Sequence, residues 1–265
     1  MSLFPENLDT LKKYPMIVYF YERYTDRYHT HYIPNPSRSV INFPLYNSNG
    51  YIIFIPDITY KIGYPGESAL NIVLSGTEAL LERDYIDRSN LGLQGQSWGG
   101  YQVAYIVTKT DLFKAAMSGA PVVNMTSAYG GIRLESGLVR SFQYEQTQSR
   151  IGATLWERLD LYLENSPLFK ADKITTPLLI MSNDNDGAVP WQQGLEFFNA
   201  LRRLGKKAWL LCYNGEEHNL TKWQNRVDLS IRMKQFFDHY LKNAEMPEWM
   251  SKGIPAIKKG LINGY

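Results

Sequence analysis

A single cysteine, Cys212, in 265 residues rules out an intrachain disulfide and a cysteine-built zinc site. It lies in the apolar stretch 207–213, where a small buried hydrophobe is the default. Histidine is nearly as scarce. His29, His31, His218 and His239 are all there are, unclustered and without an H-E-x-x-H pair, so neither a metal nor a cofactor is expected. No stretch reaches the ~18 apolar residues that span a bilayer. The N-terminus has no basic segment followed by an apolar run and a cleavage site. Excess charge is missing too, since 28 Lys+Arg against 26 Asp+Glu leave +2. The basic pairs Arg202-Arg203, Lys206-Lys207 and Lys258-Lys259 read as solvated helix-end charges, not a phosphate-tracking stripe, so nucleic acid is not an expected partner. One cysteine does not set a compartment, and a periplasmic or secreted location stays open for the full-length protein. There is no internal repeat and no low-complexity segment.

What is present is a core. At 44% hydrophobic and 20% charged, the chain can bury a substantial interior. Short apolar runs at Met16–Tyr21, Tyr51–Ile55, Leu91–Leu93, Lys114–Met117, Leu178–Met181 and Ala208–Tyr213 read as strands buried on both faces. Helical periods stand between them: Leu70, Val73, Leu74, Leu80 and Leu81; then Leu195, Phe198, Leu201 and Leu204, capped by Gly205; then Met233, Phe236, Phe237, Tyr240 and Leu241. This alternation predicts an α/β class with a mostly parallel central sheet flanked by helices. Residues 121–170 break the rhythm and predict a lid or pocket insertion on the C-terminal edge of the sheet, where open α/β sheets bind ligands. Most of the 19 tyrosines are expected to pack, and a few to line a wet cleft.

Leu91–Gly100 reads as an apolar strand followed by G-x-S-x-G (Gly95-Gln96-Ser97-Trp98-Gly99), with a helix-competent Tyr101–Lys109 behind it. A serine on such a strand-to-helix turn sits in a strained conformation with its hydroxyl out of the sheet, and glycines are needed where neighbouring backbone approaches. The helix start also aims free N–H groups at a developing oxyanion. Ser97 is therefore the candidate nucleophile of an α/β-hydrolase fold, whose partners follow in the order Asp or Glu, then His. His29 and His31 precede the serine, and His239 lies on a helix face. His218, in a polar loop after the last strand, is left as the base. The acid should follow Leu178–Met181, where Asp184 and Asp186 both qualify by spacing. A calcium loop at Asp-Asn-Asp-Gly lacks its remaining ligands.

Three segments resemble the catalytic domain of the prolyl oligopeptidase family of serine peptidases, which includes dipeptidyl aminopeptidases and acylaminoacyl peptidases. They are Gly95-Gln96-Ser97-Trp98-Gly99-Gly100-Tyr101, Asn165-Ser166-Pro167-Leu168 running on to Ile174–Ile180, and Asp186-Gly187-Ala188-Val189-Pro190. The similarity covers nearly the whole chain. It implies that 1–265 is an α/β-hydrolase catalytic domain. It selects Asp186 as the acid, three residues before a valine. It also implies an oxyanion hole of the Trp98 N–H and the Tyr21 hydroxyl, at the end of an early strand. Tyr101 and Val189 would border the pocket for the residue preceding the cut, with proline or small apolar residues expected there. Two positions depart from the family. Glu22-Arg23-Tyr24 stands where Gly-Gly-Pro or Ala-Gly-Pro is common, and Ala188 replaces an asparagine that contacts substrate in some dipeptidyl-cleaving relatives. An N-terminal β-propeller is usual in the family, so the chain resembles a catalytic portion of a longer protein, and a peptide is the expected substrate. A carboxylesterase with the same triad, or a domain inert without its partner domain, are the alternatives.

Overall fold

The computed structural model describes all 265 residues. Strands β1 (Ser2–Leu3), β2 (Tyr14–Tyr19), β3 (Ile52–Phe54), β4 (Ile86–Gln96), β5 (Ala115–Gly119), β6 (Leu178–Met181) and β7 (Ala208–Leu211) form one sheet. Its order is β1-β3-β2-β4-β5-β6-β7. Every neighbouring pair is parallel except β1 with β3.

Side chains alternate across this sheet, and both faces are apolar. Met16, Val18, Ile52, Leu178 and Ile180 point to one layer; Ile17, Tyr19, Ile53, Leu179 and Met181 point to the other. Full burial of each is worth about 1.5–3 kcal/mol, so a one-residue slip would forfeit a whole strand. Helices α2 (Pro65–Leu80), α3 (Trp98–Ile106) and α7 (Trp191–Arg203) cover the first face through residues such as Val73, Ile106 and Phe197. Helices α1 (Phe43–Ser48), α8 (Trp223–Lys242) and α9 (Glu248–Ser251) cover the second through Tyr46, Phe236, Phe237 and Trp249.

The segment 121–170 contains the short helices α4 (Met125–Tyr129), α5 (Ser141–Glu145) and α6 (Leu159–Glu164). A third apolar cluster joins it to α3: Tyr101 and Tyr105 pack with Tyr129, Tyr144 and Tyr162. Much of the tyrosine content is spent here.

Several local expectations shift. β4 begins at Ile86, because the polar Asp87-Arg88-Ser89-Asn90 hides half of an 11-residue strand from any apolar pattern. β5 ends at Gly119, two residues beyond the expected strand. The two-residue β1 had no sequence signal. Helix α7 buries Phe197 and Leu201 fully and Phe198 in part, while Leu204 is exposed. The helix packs closely at Gly194, where a Cβ would collide with Ser182. The neighbouring Gln193 Oε1 accepts the Val123 and Asn124 N–H groups at 3.0 and 2.8 Å. Cys212 is only half-buried, on the edge next to β7. No helix is long and apolar enough to cross a membrane.

Candidate active site

Ser97 follows β4 at φ 61° and ψ −116°, a region non-glycine residues rarely occupy. The turn is tight enough that a Cβ on Gly95 would meet the Gly99 backbone, and one on Gly99 would meet the Phe20 carbonyl. The Ser97 N–H donates to Gly119 O at 2.8 Å, pinning the bend to the end of β5. Trp98 opens α3, and the first intrahelical bond runs from Tyr101 N to Ser97 O at 2.9 Å. The N–H groups before Tyr101 thus lack helical acceptors.

Asp186 and His218 sit in the loops after β6 and β7, and the structure brings them together. His218 Nδ1 lies 2.7 Å from Asp186 Oδ2, with the carboxylate side chain 1% exposed. The other oxygen, Oδ1, accepts the Ala188 and Val189 N–H groups at 2.8 Å each. That pair of bonds gives the aspartate-to-valine spacing a physical cause: the carboxylate caps the turn that presents it. Asp184 does something else. It is exposed and takes the Gly215 N–H at 2.7 Å and the Asn214 side-chain amide at 2.5 Å, tying the two loops together. Those bonds hold its carboxyl below the usual value, with the Asn214 contact contributing most.

The side chain next to Ser97 ties the elbow to the His218 loop: Gln96 Nε2 donates to the His218 carbonyl at 2.8 Å. No direct hydrogen bond joins the serine hydroxyl to the imidazole, a contact that commonly tightens only with substrate. The His218 loop is held from below by Glu216, which is fully buried. Glu216 accepts from Thr221 N, Thr221 Oγ1, Lys222 N and Asn225 Nδ2 at 2.7, 2.8, 3.1 and 2.6 Å. Burial alone would raise this carboxyl, but the four donors outweigh it and hold it below its usual value.

Tyr21 lies just past β2. Its carbonyl accepts from Tyr60 OH at 3.3 Å and Gln102 Nε2 at 3.1 Å, and its hydroxyl accepts from Gln148 Nε2 at 2.9 Å. The departure at Glu22-Arg23-Tyr24 is accommodated by other means. Ile58 N donates to Glu22 O at 2.8 Å, Glu22 pairs with Arg150 at 3.0 Å, and Asp57 Oδ1 accepts from Tyr24 N at 2.6 Å.

A small recess beside Ser97, with room for about one water molecule, is walled by Trp98, Val122, Tyr144 and Val189. Arg133, Arg140, Gln143, Gln148 and Ser149 of the 121–170 segment also line it. Tyr101 does not. It is fully buried behind Trp98, with ring centroids 4.6 Å apart, and its hydroxyl donates to Asn165 Oδ1 at 2.9 Å. One turn into α3, it faces the core cluster instead of the groove, which corrects its expected place at the substrate. Gln96, a variable position of the serine motif, and Arg133, Arg140 and Gln148, which lie in no motif, were not foreseen. His29 and His31 are exposed, and His239 in α8 faces the Ala244 carbonyl at 2.8 Å.

A parallel sheet with a nucleophile-type elbow after β4 and partner loops after β6 and β7 defines the α/β-hydrolase fold. An acylaminoacyl peptidase of Pyrococcus horikoshii superposes with a TM-score of 0.74 at 22% identity, over 95% of this chain and 41% of that one. Residues 62–244 match the prolyl oligopeptidase family, Peptidase_S9. The chain belongs to the prolyl oligopeptidase family of serine peptidases. Among its relatives are an uncharacterized peptidase, YuxL, of Bacillus subtilis, 28% identical over 67% of this chain and 26% of the relative. Dipeptidyl-peptidase 5 of Porphyromonas endodontalis is 26% identical over 91% of this chain and 35% of the relative. The chain therefore spans about a quarter to a third of the length of the curated relatives it matches.

Proposed function

We propose that this chain is the catalytic portion of a serine peptidase that cleaves short peptides through an acyl-enzyme. The Asp186–His218 contact of 2.7 Å, in the loops flanking the Ser97 elbow, carries the assignment. Asp186 keeps the His218 proton on Nδ1, which leaves Nε2 free to accept. His218 takes the Ser97 proton as the serine oxygen attacks a peptide carbonyl, and the imidazolium then protonates the departing amine. Water repeats the sequence on the ester. The Trp98 N–H and Tyr21 hydroxyl stabilise the oxyanion. Tyr21 accepts its bond from Gln148, so its own proton is free to donate.

Relatives named as peptidases favour an amide over an ester substrate. The Ala188 methyl offers no hydrogen-bonding group, and the carbonyl of that residue is engaged by Arg140. This argues against the asparagine-based contact of some dipeptidyl-cleaving relatives. The full-length protein carries, in this proposal, an N-terminal β-propeller over the site. Hydrolysis of a peptidyl aminomethylcoumarin tests the assignment: Ser97→Ala should lose about 10⁶ in kcat, and a Ser97→Ala protein as active as wild type would end it.

A further inference from the structure

The pocket beside Ser97 holds two arginines with no counter-ion. Arg140 is 1% exposed. Its Nη1 donates to the Ala188 carbonyl, its Nη2 donates to Tyr144 OH at 3.0 Å, and its Nε bonds nothing. Arg133 is half-buried and spends Nε and Nη2 on one neutral acceptor, Gln143 Oε1, at 3.3 and 3.0 Å. Neither has a carboxylate oxygen within 4.0 Å, whereas Arg150 in the same segment pairs with Glu22 at 3.0 Å. The buried Ser149 hydroxyl, also without a partner, lines the same pocket.

Removing a guanidinium from water is costly even after relaxation. The Tyr144 ring, 5.7 Å from the Arg140 guanidinium, and the bonds to neutral acceptors offset part of that cost. The positive charge itself stays uncompensated, and two such charges in one pocket repel. A bound anion would relieve it: its negative charge offsets one of the two positive charges and screens their repulsion, and it can accept from the free Nε–H and the Ser149 O–H.

We propose that Arg133 and Arg140 bind a carboxylate of the substrate, the side chain of a glutamate or aspartate on the residue whose carbonyl Ser97 attacks. The carboxylate takes the water-sized recess beside the arginines, and the methylenes lie along Trp98, Val122 and Val189 at its mouth. The inference rests on Ser97 being the nucleophile, and it replaces the proline or small apolar residue expected for that pocket. Nothing in the fold requires it, since a neutral pocket could be built on the same apolar wall.

Calorimetric titration of the Ser97→Ala protein, which cannot turn substrate over, compares N-acetyl-Ala-Glu-amide with N-acetyl-Ala-Gln-amide. The glutamate peptide should bind about 10²-fold more tightly, a difference of about 2.7 kcal/mol. The preference should collapse towards unity when Arg133→Met or Arg140→Met is added. Should the buried Arg140→Met protein not fold, Arg133→Met alone decides the matter. Equal affinity for the two peptides overturns the proposal, as does a glutamate preference that survives the arginine substitutions. Fluorophosphonate labelling of wild-type Ser97 separates the two levels. Glutamate selectivity without labelling would end the nucleophile assignment and leave the anion site standing; labelling without selectivity would do the reverse.

Discussion

Asp186→Asn changes one contact and almost no shape. Asn Oδ1 can still accept the Ala188 and Val189 N–H groups, now 2.8 Å from Asp186 Oδ1, so the turn should persist. The Oδ2 position becomes an NH₂ group facing His218 Nδ1, 2.7 Å away in the native protein. Two donors cannot share that contact, so the ring must offer a lone pair at Nδ1 and carry its proton on Nε2. That tautomer cannot accept the Ser97 proton, and no carboxylate remains to stabilise an imidazolium. The expected loss is about 10⁴ in kcat, or about 5.4 kcal/mol of barrier at 1.36 kcal/mol per tenfold. The melting temperature should stay within a few degrees of wild type. Asp184→Asn is the matched control. It sits on the same loop but is exposed and bonded only to Asn214 and Gly215, so its rate should change by less than about threefold, as for an ordinary surface substitution. Steady-state hydrolysis of a peptidyl aminomethylcoumarin reads both. A folded Asp186→Asn protein keeping more than about a tenth of wild-type kcat, against the 10⁴ expected, would refute the reasoning. So would an equal loss in Asp184→Asn.

Tyr21→Phe removes one of the two oxyanion donors and should cost about 10²–10³ in kcat with little change in KM; an unchanged kcat retires that role. Glu216→Gln puts an amide NH₂ among four hydrogen-bond donors and should destabilise the fold by about 1–3 kcal/mol, read from denaturant midpoints. Because the folded carboxyl is held below its usual value, its stabilisation is fully present above about pH 4.3, the free Glu value. It fades as the pH falls through the lower folded value. Wild type should therefore lose stability in acid faster than Glu216→Gln, and parallel pH curves would contradict this. Gly99→Ala drives a methyl into the Phe20 carbonyl and should cost about 1–3 kcal/mol or more, seen as a lower denaturant midpoint and lost turnover together.

Apolar runs made the centre of the sheet readable, because β2, β3 and β6 are buried on both faces and have no polar positions to confuse the pattern. Polar residues concealed the first half of β4, and a strand as short as β1 has no period at all. On α7 the apolar period found Leu201 and Phe198 but missed Phe197 and the inward Gly194 and Gln193, which are small or polar and leave no apolar signal. At the site, glycine spacing announced the Ser97 bend, since only a missing Cβ lets Phe20 and the Gly95 strand approach it.

Spacing alone left Asp184 and Asp186 equal, and the resemblance chose Asp186 by its place three residues before Val189. Both are aspartates in one loop, and what separates them is which is buried against His218 and which ties its loop to Asn214. The wall of the pocket was the least legible part. Gln148 meets Tyr21 across 127 residues of chain, and Arg140 meets Ala188 across 48. Such pairings follow from how the 121–170 segment folds back over the sheet edge, and no short motif encodes them. Tyr101 was misplaced for a related reason: adjacency to the nucleophile in sequence became, one turn into α3, a position facing the core.

The most direct measurement is the rate at which a fluorophosphonate modifies this protein, with the adduct located by peptide mapping and the His218→Ala protein run alongside. A single adduct on Ser97, forming at least about 10³-fold more slowly once the imidazole is gone, is the predicted result. A folded wild-type protein that takes up no phosphonate at Ser97, or takes it up equally fast without His218, would contradict the account.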